Sequence, residues 1–378
     1  MGNGAGNCES SERRTKMTSS KLKFSELLRK IKSENDEERR WAAQMMGELR
    51  EKEGIPHLIN LLSDKNTAVQ EASADALVKI DGKEVAEKLV PLLSSMEASV
   101  RNISIEILEG IGKKAVDVLL SLLKDKDHDI RKFACDALGN IADPKATSYL
   151  ITTLNDPNIN VACAAAEALG KIGDKRAVDP LTKVLEGNMW LICSCVEALG
   201  RIGDKRAVES LMSIPSSENA LVLLSTIKSL GKIGNGRAVD FLLSFSKSET
   251  LRGAVAEAIA QIVEKEEKVI DKIKELDLSF LLELLESKST STRKAAAFLL
   301  GKVKYKKAIS SLVNFLSDED EEIRETGTKA LILIDPNLGY LSSEKKEEVK
   351  EILESLAYDN DEEVRNAANE ALKRLINH

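Results

Sequence analysis

The side chains best suited to chemistry are few and scattered. Three histidines occur in 378 residues: His57, His128 and His378. They fall in different segments, whereas a metal centre needs several ligands converging on one point. The cysteines are Cys8, Cys135, Cys163, Cys193 and Cys195, an odd number that points to thiols in an intracellular setting rather than a disulfide framework. Cys193 and Cys195 stand two apart, and on a helix such neighbours point in nearly opposite directions. Cys195 therefore reads as a small core residue. Neither an acid–base pair nor an activated nucleophile can be assembled from spacing, so an enzyme ranks behind the binding readings, and the chain calls for no cofactor and no metal.

Composition narrows the classes further. Hydrophobic residues make up 43%, charged residues 31% and aromatics only 3%, with a formal charge of −7. Aliphatic side chains must build the core, and the acidic balance argues against extended phosphate contacts. No stretch reaches the roughly 18 apolar residues of a membrane span. Residues 1–20 are polar and lack a secretory h-region. Gly2 invites a myristoylation reading, but position six is Gly6 rather than Ser or Thr. We read 1–20 as a disordered tail, with Met17 as an alternative start, and expect a cytoplasmic protein.

Any binding residues must be placed by a repeat. DIRKFACDALGNIADPKA at 129–146 superimposes on NVACAAAEALGKIGDKRA at 160–177 and on LICSCVEALGRIGDKRA at 191–207. With Arg131 as anchor, the equivalent positions are Arg39, Gln70, Arg101, Arg131, Ala162, Ile192, Leu223, Arg252, Arg293, Arg324 and Arg365. Every residue seven and ten positions further on is large and apolar, from Met46 and Leu49 to Leu372 and Leu375. Offsets −1, +3, +6, +7 and +10 form one stripe at helical period, so each anchor sits on an amphipathic helix. A second helix precedes each, as in IPHLINLLS at 55–63 and AISSLVNFLS at 308–317. Asp64, Asp125, Asp156, Asp318 and Asp359 stand six residues before anchors and Asp127, Asp320 and Asp361 follow two residues later, all suited to helix N-termini. Gly173, Gly203 and Gly234 close helices. Neither helix of a pair can bury its stripe alone, so the pairs must stack.

The pattern D-x-x-x-x-V-R-x-x-A-A-x-A-L-G-x-I-G-D-x-R-A resembles the HEAT-like repeat of the phycobilisome-lyase type over about residues 22–377. The resemblance implies an all-α fold, an armadillo-type α–α superhelix (solenoid) of about eleven helix pairs. It also implies second helices lining a concave surface. Deoxyhypusine hydroxylase is built from similar repeats and holds two irons with His-Glu dipeptides. This sequence has none, so that activity does not carry over. Two longer spacings mark insertions: EKEEKVIDKIKELD at 264–277, read as an extra amphipathic helix, and DPNLGYLSSEKKEE at 335–348, read as a loop with a helix extension. They divide a regular array at 21–262 from a less regular end at 263–378.

Three surface features could bind a partner. Asp75, Glu106, Asp136, Glu167 and Glu197 share the +5 column and would form an acidic ridge, although Lys79, Lys171 and Arg201 stand four residues on and could pair with three of them. Lys175, Arg176, Lys205, Arg206, Arg237, Lys304, Lys306 and Lys307 recur in loops beside Asp174 and Asp204. The third feature is the loss of the anchor arginine at Ala162, Ile192 and Leu223, where NMWLIC and NALVLL replace polar turns. We expect Cys163, Trp190, Cys193, Leu221 and Leu224 to form an apolar patch for a partner's anchors. The leading function is a protein-binding scaffold that seats a protein partner in the concave groove. Behind it stand a lyase-like or chaperone-like accessory to a cofactor-bearing protein, and a nucleic-acid binder. No membrane and no small-molecule substrate is expected.

Overall fold

The computed structural model describes residues 24–214, 219–275 and 277–376. The expected tail at 1–20 lies outside them, as do Cys8 and His378. Helices and turns account for the described residues, with no strand among them. The chain is an α–α solenoid by fold class, and its contacts divide it into two compact units, residues 1–172 and 173–378. The insertions had suggested a division at 262.

In the first unit, α1 spans 24–30 and is followed by α2 (Asp36–Glu48), α3 (Ile55–Leu61), α4 (Thr67–Ile80), α5 (Lys83–Leu89), α6 (Ala98–Ile111), α7 (Val116–Leu122), α8 (His128–Ile141), α9 (Thr147–Thr153) and α10 (Ile159–Ile172). The second unit holds α11 (Val178–Lys183), α12 (Met189–Ile202), α13 (Val208–Met212), α14 (Ala220–Ile233), α15 (Val239–Leu243) and α16 (Arg252–Lys265). It continues with α17 (Val269–Ile273), α18 (Ser279–Leu284), α19 (Thr290–Lys302), α20 (Ile309–Phe315), α21 (Glu321–Ile334), α22 (Ser343–Leu356) and α23 (Glu362–Ile376). Each anchor position falls on its own long helix, α2 through α10 in one unit and α12 through α23 in the other.

The +7 column is the core. From Met46 to Leu331 its members are at most 1% exposed, each removing a full aliphatic side chain from water, about 1.5–3 kcal/mol apiece. The +10 column departs from expectation: Leu49 is 47% exposed, and Ile141, Ile172 and Ile202 are only half-buried. These residues occupy the last helical turn or the residue just past it, where neighbouring helices give incomplete cover. Successive long helices approach closely at five of the +8 glycines. A Cβ built on Gly139 would lie 2.8 Å from Ala168 Cα, and one on Gly200 would lie 2.9 Å from Ser229 Cα. Gly47, Gly231 and Gly301 meet the next helix in the same way. In each case a small residue at +6 receives the glycine.

Of the two aspartate columns, the later one supplies the helix cap, four residues before the anchor: Asp127 and Asp320, with Asn35, Asn66, Asn188 and Asn219 in the same place, each accept from a backbone N–H two residues on. Asn188 and Asn219 keep this cap in the two turns that the sequence had marked as apolar. Gly203 and Gly234 adopt left-handed φ of +70° and +73° and close α12 and α14. The first insertion forms one short turn, α17, with Val269, Ile270 and Ile273 buried, while Leu276 lies outside the described residues. The second is a turn stabilised by buried Asp335, which accepts from Gly339 N–H at 2.9 Å and Tyr340 N–H at 2.7 Å, and it leads into α22.

Candidate partner-binding site

The site is defined by something the chain does elsewhere and omits here. Arg39, Arg101, Arg131, Arg324 and Arg365 each donate from Nη1 to the two carbonyls six and five residues earlier. Three of these arginines also reach the following repeat. Arg131 donates from Nε and Nη2 to the two oxygens of Asp156 at 2.7 and 2.8 Å. Arg39 holds Asp64 at 2.7 and 2.9 Å, and Arg324 holds Asp359 at 3.0 and 3.1 Å. Each is a two-pronged, charge-assisted contact between side chains at most 17% exposed. The arginine hydrogen bonds hold the Asp64 and Asp156 carboxyls below the usual range, against the opposing effect of burial. Arg293 makes a looser rung, 3.5 Å from Asp318, with a buried Nε that has no partner. Of the aspartates six before the anchor, Asp64, Asp156, Asp318 and Asp359 are therefore rungs between repeats, whereas Asp125 accepts from Asp127 N–H within its own turn. The signal in the sequence was their spacing of 25 residues after Arg39 and Arg131.

At Ile192 the rung is gone, and a cavity of about 300 Å³ opens between the turns that begin α12 and α14. Its apolar lining is Leu185, Met189, Ile192, Ile214 and Val222, with Glu186, Gly187 and Asn219 supplying polar groups. Asn219 Nδ2 donates to Met189 Sδ across it. Met189, Ile192, Asn219 and Val222 fall in the two turns that the sequence marked as apolar, whereas Leu185, Glu186, Gly187 and Ile214 carried no such signal.

Beside the cavity lies the exposed part of the expected patch. Trp190 is 59% exposed and Leu221 44%. They hold equivalent positions, two before the anchor, on helices that pack together. Leu224 is half-buried. Cys193 is only 8% exposed, so it belongs to the packing beneath the patch. Cys163 lies in the first unit and is half-buried there. Cys135 and Cys195 are fully buried, and burial pushes the Cys135 thiol up to about 12.

The charged candidates are dispersed. In the first unit Asp75, Glu106 and Glu167 are exposed and Asp136 is half-buried, and in the second Glu197 is exposed. Two of the three expected i,i+4 pairs give way to links between helices: Lys79 bonds Glu48 and Lys171 bonds Asn140. Asp136 instead pairs with Lys132 at 2.8 Å. The arginines of the basic loops are paired locally. Arg176 binds Asp174, Arg206 binds Asp204 and Asp179, Arg237 faces Glu209, and Lys306 lies over the Tyr340 ring. His128 groups with Asp127 and Asp129, a cluster the alignment did not anticipate, but all three are exposed and Asp127 is engaged as the cap of α8. No helix among the described residues is long and apolar enough to cross a membrane.

Comparison with known proteins agrees with this architecture. The family model described as HEAT repeats matches residues 24–109, 86–156, 116–191, 187–260 and 278–373. Among solved structures, importin beta in an ammonium sulfate condition is similar with a TM-score of 0.65 and 14% identity, over 93% of this chain and 57% of that one. An engineered protein from the Northeast Structural Genomics Consortium gives a TM-score of 0.45 and 22% identity, over 93% of this chain and 98% of that one. At these identities the likeness to importin beta speaks for the fold alone. No curated protein matches the chain in sequence. Two helices per repeat, a conserved register from Arg39 to Arg365 and a family match over most of the length lead to one assignment: the chain belongs to the HEAT-repeat family.

Proposed function

We propose that this protein is a non-enzymatic scaffold or adaptor that binds a protein partner on the α12–α14 surface. The observation that carries the reading is the exposure of Trp190 and Leu221 at equivalent positions beside an apolar cavity. A large indole and a leucine left in water beside a pocket have the composition of a binding hot spot. Their neighbours are capped and packed, so the scaffold beneath them is preorganised. The reading places the protein in the cytoplasm, as the odd number of cysteines leads one to expect.

The finer resemblance to the phycobilisome-lyase repeat type supports a narrower form of the same role, an accessory to a cofactor-bearing partner. A captured partner that carries a chromophore would favour that form. The test is affinity capture from native lysate with the parent protein and a Trp190→Glu, Leu221→Glu double variant, with circular dichroism verifying the fold of both. A partner enriched by the parent and lost from the folded variant supports the surface. Partners retained equally by both exclude it and turn attention to the acidic column of Asp75, Glu106, Asp136 and Glu167.

A further inference from the structure

Independently of the α12–α14 surface, we propose that the groove formed by α16, α19, α21 and α23 is a second docking site. Its occupant is a partner segment in which a large apolar side chain stands beside an arginine. The groove follows from a change in the column where long helices touch. A Cβ on Gly231 or Gly301 would lie 2.7 Å from the Cα of Ala258 or Ala330 on the next helix, so those backbones are in contact. In α16 and α21, the two long helices that precede the insertions, the same +8 position holds Ala260 and Ile332. A cavity of about 330 Å³ opens between α16 and α19, with Ala260 in its lining. Another of about 500 Å³ opens where α19, α21 and α23 meet, with Ile332 in its lining. The two adjoin, since Glu264, Lys294, Phe298 and Thr326 border both.

Phe298 supplies the apolar centre. It occupies the +5 column, which carries an acid at Asp75, Glu106, Asp136, Glu167, Glu197, Glu257 and Glu370. Here a half-buried ring stands instead, and the small residues Ala295, Ala367 and Ala371 contribute to the same lining. An aromatic ring among alanines leaves room for a large apolar anchor from outside.

Charge selects the anchor's neighbour. Four cations line the larger cavity, and each already has a carboxylate: Lys294 bonds Glu322, Lys302 bonds Glu267, Lys329 bonds Glu325 and Arg374 bonds Glu370. Lys302, whose ammonium lies 5.7 Å from the centre of the Phe298 ring, is among them. The acids of α16 lack such partners. Glu257 accepts from the Ser291 and Thr292 hydroxyls at 2.8 and 2.6 Å, and exposed Glu264 makes no ion pair among the described residues. The unmet charge of the groove is therefore negative, and Glu264 carries it where the two cavities adjoin. A cation next to the apolar anchor complements it. Arginine fits better than lysine, because its planar fork can face a carboxylate with two donors at once.

The experiment uses the full chain in ligand-observed NMR titrations. The probes are N-acetyl-phenylalanyl-arginine amide and the same dipeptide with citrulline or glutamate in place of arginine. Citrulline keeps the shape of arginine without its charge. The arginine probe is expected to bind with a Kd on the order of 1 mM. It should bind about fivefold tighter than the citrulline probe, as an ion pair at an exposed carboxylate allows, with the glutamate probe weakest. Glu264→Gln should bring the arginine and citrulline probes level. Glu71→Gln, at an exposed acid of the first unit, should leave the preference intact. Phe298→Ala, with its fold checked by circular dichroism, should weaken all three probes. Five results would each overturn the proposal: equal binding of the arginine and citrulline probes, binding of none, tightest binding of glutamate, unchanged binding in folded Phe298→Ala, or a preference that survives Glu264→Gln or vanishes in Glu71→Gln. None of them involves Trp190 or Leu221, so the reading of the α12–α14 surface is tested separately.

Discussion

The stretches α8–α10 and α12–α14 are built alike and differ at one contact. Both have 14-residue long helices, an Asx cap at the start of each first helix, and a glycine at +8 that lets the next helix approach. In the first, Arg131 links its own turn to Asp156 of the following repeat. In the second, Ile192 stands in place of the arginine, and a cavity with exposed Trp190 and Leu221 beside it takes the place of the rung. Helix stacking therefore does not depend on the rung. A cavity of about 420 Å³ also borders Asp156 in the first stretch, so the rung does not close its neighbourhood; it adds a charged link between two turns that the second stretch lacks at Ile192.

The sharpest way to break this comparison is at the feature the stretches share. Gly139→Val and Gly200→Val each drive a side chain into the backbone of the facing helix, and each should cost about 3 kcal/mol, read from urea unfolding midpoints. If Gly200→Val is tolerated while Gly139→Val is not, the two stretches do not stack by the same contact. Next comes the feature in which they differ. Arg131→Ala leaves a largely buried carboxylate and two carbonyls without their donor and should cost about 2 kcal/mol. Ile192→Ala, at a half-buried position on a cavity wall, should cost about 1 kcal/mol. Equal losses would mean that the rung adds nothing to stability.

The pH dependence sharpens the same point. Because the folded Asp156 carboxyl lies below its usual value of 3.8, its contribution is complete above that value and is lost as pH falls through the lower folded one. Arg131→Met should flatten the acid limb of the stability curve in that window, whereas Ile192→Met should leave it unchanged. The smallest expected effect concerns the caps. Asp127→Ala and Asn188→Ala should each cost about 1 kcal/mol, because the turn remains capped whether or not the rung is present. A negligible loss at Asn188 would show that its turn is held by other contacts.

Much of this was legible from the chain alone. The register from Arg39 to Arg365, the long helices and the buried +7 leucines follow from a periodicity written within each repeat, because helix formation and stripe direction are local matters. The loss of arginine at Ile192 was also visible. Its consequence was not, because a guanidinium seat is made from two turns that belong to different repeats. The same distance separates the two aspartate roles. A cap bonds two residues ahead and can be read nearby, while a rung such as Asp156 receives its arginine from 25 residues earlier. Side-chain exposure was likewise decided in three dimensions. Trp190 and Cys193 lie three residues apart on α12, yet one stands in water and the other is buried. Local periodicity is enough to say which helices form and which stripe each buries. Which gap between repeats stays open depends on how neighbouring helices and turns meet, and that is settled only when the helices pack.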